Sequence, residues 1–148
     1  MNFVSMLSRE FKYYLAVRGL AKWTGDISPD SKNLVADDIE AVVDRHGANV
    51  AFRFEGTITT YDEFDARANR IANWALEQGL AAGDCVALFM ENRPDYVAVW
   101  YGMSKIGVVV ALINTNLEDE SLAHCINISE AKFIITGTEQ DDVIRSSQ

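Results

Sequence analysis

DCVALFMENRPDYVAVWYGMSKIGVVVALI, residues 84–113, contains the pattern that determines the fold. Cys85 to Met90 is a short apolar run, typical of a strand that is buried on both faces. Pro94 suits the first turn of a helix, and Gly107 marks the end of that helix. Val108 to Ile113 is a second apolar run. Two strands joined by a helix predict a parallel pair with a right-handed crossover.

The flanking segments extend this pattern in both directions. A helix near residues 119–129 and a third strand over 132–136 follow it, whereas residues 50–55 and 57–59 predict a hairpin before it. The predicted class is α/β, with N-terminal helices and a short hairpin leading into an incomplete doubly wound parallel sheet. Because such a sheet has open edges, we expect the natural reading frame to continue beyond Gln148.

Two predicted helices precede the first parallel strand. Asn33 or Ser31 could cap a helix that stops at Gly47. Thr60 and Glu63 form a T-x-x-E capping box for the next helix. Its inward face would carry the apolar side chains of Phe64, Ala68, Ile71, Ala72 and Ala75. We expect the two tryptophans Trp74 and Trp100 to lie in the core, since both fall on apolar helix faces.

Composition excludes several kinds of partner and site. The net charge of −9 argues against a nucleic-acid partner, because phosphates would be repelled. Cys85 and Cys125 lack the spacing of a disulfide framework or a zinc site, so we expect both to be reduced in a cytosolic protein. The longest apolar run is far too short to span a bilayer.

The N-terminal segment differs from the rest of the chain. Residues 1–32 are predicted to form a basic amphipathic helix and a linker, and the first 25 residues hold four basic side chains but one acidic. The apolar stripe between Phe3 and Leu15 could either bind an anionic membrane surface through residues 1–22 or pack on the body of a larger enzyme. Both interpretations stay open.

The loops at the carboxyl ends of the strands are where such a fold usually binds ligands. They contain neither a G-x-G-x-x-G nor a G-x-x-x-x-G-K-[ST] phosphate loop. Four polar residues merit inspection, although turn, cap or surface roles are expected for each: Arg93, Asn114, Asn116 and His124. We therefore assign no catalytic, cofactor-binding or metal-binding residue.

Several segments resemble the adenylate-forming enzymes, in the order in which that family has them. They are TYDEF (60–64), NRIA (69–72), GDCVAL (83–88) and KIGVVVA (105–111). FMENRP (89–94) and INTNL (113–117), the latter followed by LAHC, are similar to the long- and very-long-chain acyl-CoA synthetase branch, which includes the fatty-acid transport proteins. Residues 33–148 are thus identified as the truncated N-terminal portion of an AMP-binding large domain.

The resemblance implies a parent enzyme that joins a long-chain fatty acid to AMP, using ATP and Mg²⁺, and then transfers the acyl group to coenzyme A. This chain would be cytoplasmic scaffold, with a peripheral position at the inner face of a membrane as the second option, and would bind none of those cofactors itself. A [ST]-S-G-[ST]-T-G-like phosphate loop is expected downstream. The alternative is a non-catalytic interaction or membrane-docking module.

One position departs from the branch. Glu118-Asp119 stands where the branch usually has Arg-Gly, which reverses the local charge and argues against an anion contact from this loop. The alternative interpretation is that the two acids lie in the first turn of a helix and favour its dipole.

Overall fold

The computed structural model describes residues 13–15, 17–18 and 34–146 of the chain. Two compact units divide the chain between Leu34 and Val35. In the first unit, residues 13–15 and 17–18 are helical and their side chains are exposed. The remainder of the predicted N-terminal helix, the linker and the predicted cap at Ser31 or Asn33 lie outside the described residues.

The second unit contains a hairpin, a parallel sheet and the helices around them. In chain order the elements are α1 (Val35–His46), β1 (Val50–Phe54), β2 (Thr57–Thr60), α2 (Tyr61–Glu77), β3 (Cys85–Phe89), α3 (Pro94–Lys105), β4 (Val109–Leu112), α4 (Asp119–Ile128), β5 (Phe133–Thr136), a 3₁₀ turn (Thr138–Gln140) and α5 (Asp141–Ser146). The bounds up to β5 agree with the sequence-based elements to within a few residues, whereas the 3₁₀ turn and α5 were not predicted.

The parallel sheet has the strand order β4-β3-β5. Val86 of β3 pairs with Val110 of β4 on one side and with Phe133 of β5 on the other. The chain passes from β3 to one neighbour and then crosses to the opposite edge, which places the two connecting helices on opposite faces. The predicted class, α/β with a doubly wound parallel sheet, is confirmed.

Strand β3 is central and is buried on both faces, as its apolar run predicted. Val86 and Leu88 face one side and pack in a cluster with residues of α2 and α3. Ala87 and Phe89 point to the other side and are also fully buried. A strand without a solvent-facing side needs no polar alternation.

Two expectations about burial were wrong. Strand β4 lies at the edge of the sheet, and Val109 and Leu112 are 55% and 52% exposed. Trp74, expected in the core, is 40% exposed and touches only the edge of the Phe133 ring, with the centroids 6.3 Å apart. Trp100 is partly buried against a second apolar cluster. The sequence shows which residues are apolar, but not which elements have neighbours.

Helices α2 and α3 pack closely. Phe64, Ala68, Ala72 and Ala75 on the predicted inward face are buried. Gly102 of α3 lies against the backbone of Ala68, where a Cβ atom would fall 2.5 Å from the Ala68 carbonyl oxygen. The close approach therefore requires glycine at position 102.

The capping box at the start of α2 is present. The side chain of Thr60 accepts a hydrogen bond from the backbone N–H of Glu63 at 3.2 Å, and the Glu63 carboxylate accepts one from the N–H of Thr60 at 2.8 Å. These contacts satisfy two donors that a helix start leaves unpaired. They also fix how the hairpin joins the helix.

Candidate functional site

The loops after β3 and β5 are joined by an ion pair. Nη2 of Arg93 lies 2.6 Å from Oε2 of Glu139, and Oε1 of Glu139 accepts a hydrogen bond of 3.0 Å from the backbone N–H of Glu91. Gly137 makes room for this arrangement, because a Cβ atom there would overlap the Arg93 and Glu139 side chains. We call Arg93, Gly137 and Glu139 the strand-end clasp.

The clasp lies where the direction of winding changes. The chain leaves β3 toward β4 on one side, whereas β5 lies on the other side of β3, so the strand order reverses between β3 and β5. Sheets of this kind usually bind their ligands in the crevice at that point, outside the carboxyl ends of the strands. Burial acts to raise the pKa of Glu139, but the backbone donors and Arg93 lower it below its ordinary value. Glu139 is therefore ionised at neutral pH and engaged within the protein.

A shallow polar cavity lies on the other side of β3. It has a volume of about 240 Å³ and is bordered by the loops after β3 and β4, including Asn92, Tyr96 and Asn114. Oδ1 of Asn114 accepts hydrogen bonds from the backbone and side-chain nitrogens of Asn116, at 3.0 and 3.1 Å. These contacts give the two asparagines the turn-forming role that was expected of them.

His124 lies on α4, and Glu118 and Asp119 lie at the start of that helix. His124 is exposed. Glu118 precedes the helix and Asp119 begins it, which is the position expected for acids near a helix N-terminus. Asp119 has a φ of 46°, in the left-handed region. The glycine that the branch usually has there would adopt this φ without strain.

A polar cluster between α1, α2 and α3 was not predicted. Nζ of Lys105 lies 2.8 Å from Oδ1 of Asp65, 2.7 Å from Oδ1 of Asn69 and 2.9 Å from Oε1 of Glu40. The hydroxyl of Tyr101 donates to Asp65 at 3.0 Å, and the Lys105 ammonium lies 4.8 Å from the Tyr101 ring centroid. We call these five residues the Lys105 cluster.

Electrostatics in the Lys105 cluster favours the charged forms of its ion pair. Burial acts to raise the pKa of Asp65, but hydrogen bonds from Lys105 and Tyr101 lower it below its ordinary value. Burial acts to lower the pKa of Lys105, but its contacts with Asp65 and Glu40 raise it on balance. Burial and the bond to Asp65 raise the pKa of Tyr101. Because every partner is satisfied, the cluster fits a structural role.

A signal for this cluster was present in the sequence. Asn69 belongs to the NRIA segment and Lys105 to the KIGVVVA segment, two of the stretches that resemble the adenylate-forming enzymes. The segments are 36 positions apart, and a direct hydrogen bond joins them. Residues in two separate family-like segments were thus candidates for a direct contact in the folded chain.

Some polar groups at the carboxyl ends of the strands bond to one another, as in the strand-end clasp and the Asn114 turn. In residues 13–15, 17–18 and 34–146, no group of three or more His, Cys, Asp or Glu side chains converges as metal ligands would. We therefore assign no step of nucleotide chemistry to them.

Two further expectations concern cysteines and membrane spans. Cys85 and Cys125 are free and half-buried. Within the ranges that the structure describes, each helix is too short or too polar to cross a bilayer.

The parallel sheet, the helices on both of its faces and the hairpin before it define the class, which is a doubly wound α/β domain. The pattern of the AMP-binding enzyme family matches residues 39–148. The chain belongs to that family, as its TYDEF, NRIA and KIGVVVA segments predicted.

Relatives and solved structures agree with this assignment. Long-chain fatty acid transport protein 6 of Mus musculus is 48% identical over 85 residues, covering 57% of this chain and 14% of the relative. Long-chain fatty acid transport protein 1 of Bos taurus is 39% identical, covering 74% and 17%. The inhibitor-bound N-terminal domain of FACL13 from Mycobacterium tuberculosis matches with a TM-score of 0.71 at 28% identity, covering 75% and 28%. The predicted branch, with the fatty-acid transport proteins, is confirmed.

The chain spans less than a fifth of the length of either of these transport proteins. The predicted division of the chain at residue 32, and the absence of catalytic residues, stay predictions.

Proposed function

We propose that this chain is the N-terminal scaffold of an ATP-dependent long-chain fatty acid–CoA ligase. The complete enzyme would convert a fatty acid and ATP to an acyl-adenylate and pyrophosphate, and would then transfer the acyl group to coenzyme A. In this proposal ATP, Mg²⁺ and coenzyme A bind to other parts of the enzyme. The observation that carries the proposal is the family match over residues 39–148, together with the small share of the relatives that the chain spans.

The packing of the sheet supports a scaffold role. Strands β4 and β5 each have an outer edge that pairs with no strand of the described chain, and apolar side chains near those edges are exposed, including Val109, Leu112 and Ile134. Open edges of this kind accept further strands. A scaffold that continues into a larger sheet would bury them, at roughly 25 cal/mol per Å² of apolar surface.

The experiment is an ATP–pyrophosphate exchange assay with palmitate and Mg²⁺. We expect the isolated chain to give no exchange above a heat-inactivated sample, because its strand-end polar groups are engaged with one another. A full-length long-chain fatty acid transport protein, assayed alongside, shows that the conditions detect adenylation. Clear exchange by the isolated chain would refute the scaffold proposal.

A second candidate function is docking on an anionic membrane surface through residues 1–22. Residues 13–15 and 17 are helical and expose large apolar side chains: Tyr13, Tyr14, Leu15 and Val17. Aromatic and aliphatic side chains beside basic ones are typical of interfacial helices. This location would place the chain at the cytoplasmic face of a membrane.

Co-sedimentation with liposomes tests the docking function. We expect the chain to pellet with vesicles that contain anionic lipid, less at high salt, and not after removal of residues 1–22. Equal pelleting with and without those residues would reject it.

A further inference from the structure

A groove runs between the hairpin and the second helix of the Val35–Gln148 unit. One wall is strand β2, with Thr57, Ile58 and Thr59. The other is a stripe of α2 formed by Glu63, Ala66, Arg67 and Arg70, which recur at helical spacing. We call this space, of about 330 Å³, the β2–α2 groove. It lies on a different side of α2 from the buried stripe of Phe64, Ala68, Ala72 and Ala75.

Strand β2 offers a free edge to this groove. It belongs to a two-stranded sheet and pairs with β1 on one side, so that no strand of the described chain pairs with its other side. An edge strand beside a helix is the arrangement in which proteins bind an extended peptide as an added strand. Main-chain hydrogen bonds then give affinity, and side-chain contacts in the groove give specificity.

One cation of the helix wall, Arg70, selects the charge of the partner, because the Glu63 carboxylate is engaged in the capping box of α2. Arg70 is exposed and forms no hydrogen bond or ion pair within the described residues. Arg67 pairs with Asp95, and the groove continues past it to Arg93 and Pro94 through a further 160 Å³. Nε of Arg93 is buried there without a hydrogen-bond partner in the described part of the chain. A buried unsatisfied donor is costly and is relieved by an acceptor from a ligand.

We propose that the β2–α2 groove binds an extended segment of another polypeptide that carries carboxylate side chains on alternate residues. Its backbone pairs with the free edge of β2, an apolar side chain covers the exposed Ile58, and a carboxylate pairs with Arg70. A second copy of this chain fits less well, because pairing β2 with β2 would bring two sets of Arg67 and Arg70 together. This proposal is independent of the scaffold function.

The test uses a fluorescently labelled, end-blocked hexapeptide of alternating valine and glutamate, with binding to the whole chain measured by anisotropy at low salt. The matched peptides alternate valine with lysine, and proline with glutamate. The first reverses the charge, and the second keeps the charge but lacks the backbone N–H of every second residue, so that it pairs poorly as a strand. We expect the valine–glutamate peptide to bind at least about tenfold more tightly than either control.

The Arg70→Glu variant distinguishes binding in the groove from binding to positive charge elsewhere on the chain. We expect this variant to lose at least about tenfold in affinity for the valine–glutamate peptide and to bind the valine–lysine peptide instead. Arg45→Glu makes the same charge change on an exposed residue at the end of α1, outside the groove, and should bind as the original chain does. Equal losses in the two variants would overturn the proposal.

Strand addition has its own signature in amide hydrogen exchange. We expect the valine–glutamate peptide to slow exchange within β2 (Thr57–Thr60) and to leave α1 unchanged. Binding without this protection overturns the proposal in favour of surface charge pairing. A dimer of the free chain that the peptide fails to dissociate, detected by sedimentation, would show that a second copy occupies the groove and would equally overturn it.

Discussion

The ammonium group of Lys105 lies 2.8 Å from a carboxylate oxygen of Asp65, a residue 40 positions earlier in the chain. The two side chains are 11% and 19% exposed, so the pair is shielded from water. Because Tyr101 donates to Asp65, and Asn69 bonds to both Asp65 and Lys105, the pair ties α2 to α3 through a hydrogen-bonded network.

Lys105→Met should lower the free energy of unfolding by about 2–3 kcal/mol, because it leaves the Asp65 carboxylate shielded and without its cation. Urea denaturation of the chain gives this value. Glu40→Gln is the matched control. It removes another carboxylate that bonds to Lys105, but Glu40 is 52% exposed, and we expect a change below about 1 kcal/mol. Similar losses in the two variants would contradict this account of the cluster.

Asp65 should make stability depend on acid pH. Since its pKa is lower in the folded chain than in the unfolded chain, it adds stability above the unfolded pKa of about 4. That stability is lost as the pH falls through the folded pKa. Urea midpoints measured from pH 5 down to pH 2 should therefore fall less steeply for Asp65→Asn than for the original chain. Parallel curves would show that Asp65 does not contribute.

Thr60→Ala should cost about 1 kcal/mol of stability, because it removes the side-chain oxygen that caps α2. Thr60→Ser keeps that oxygen and should change stability by less than half as much. Thermal and urea unfolding of the two variants provide the comparison. If alanine and serine destabilise equally, loss of the threonine methyl group rather than of the cap explains the result.

Asp119→Gly should stabilise the chain by about 0.5–1 kcal/mol relative to Asp119→Asn, because residue 119 has a φ of 46°. The asparagine variant removes the same charge from the helix start, so that the comparison isolates the backbone effect. Urea denaturation of both is the measurement. A glycine variant that is less stable than the asparagine variant would show that the left-handed φ carries no strain.

Gly137→Ala should lower stability by about 1 kcal/mol, because the new methyl group displaces the Arg93–Glu139 ion pair. In a chain that already carries Arg93→Ala and Glu139→Ala, the same change should cost much less. The double-mutant cycle therefore measures the coupling of position 137 to the clasp. Equal costs in the two backgrounds would assign the effect to the backbone of residue 137.

The amino-acid sequence by itself determined the order and type of the elements from α1 to β5. Apolar runs that are short and bounded by glycine, proline or asparagine predict buried strands, and β3 conforms because both of its faces are covered. The Thr60–Glu63 spacing likewise predicted the start of α2, since a capping box depends only on residues within one turn. Short segments in the order that the family has were also enough to identify the family.

Tertiary structure alone decided which apolar residues are covered and which polar ones meet. Trp74 and Val109 are as hydrophobic as core residues, but each lies near a sheet edge where no neighbouring element covers it. Lys105 and Asp65, like Arg93 and Glu139, come together only because α3 packs on α2 and β5 pairs with β3. Such contacts depend on how elements assemble, and a pattern read along one segment carries no information about the distance to another.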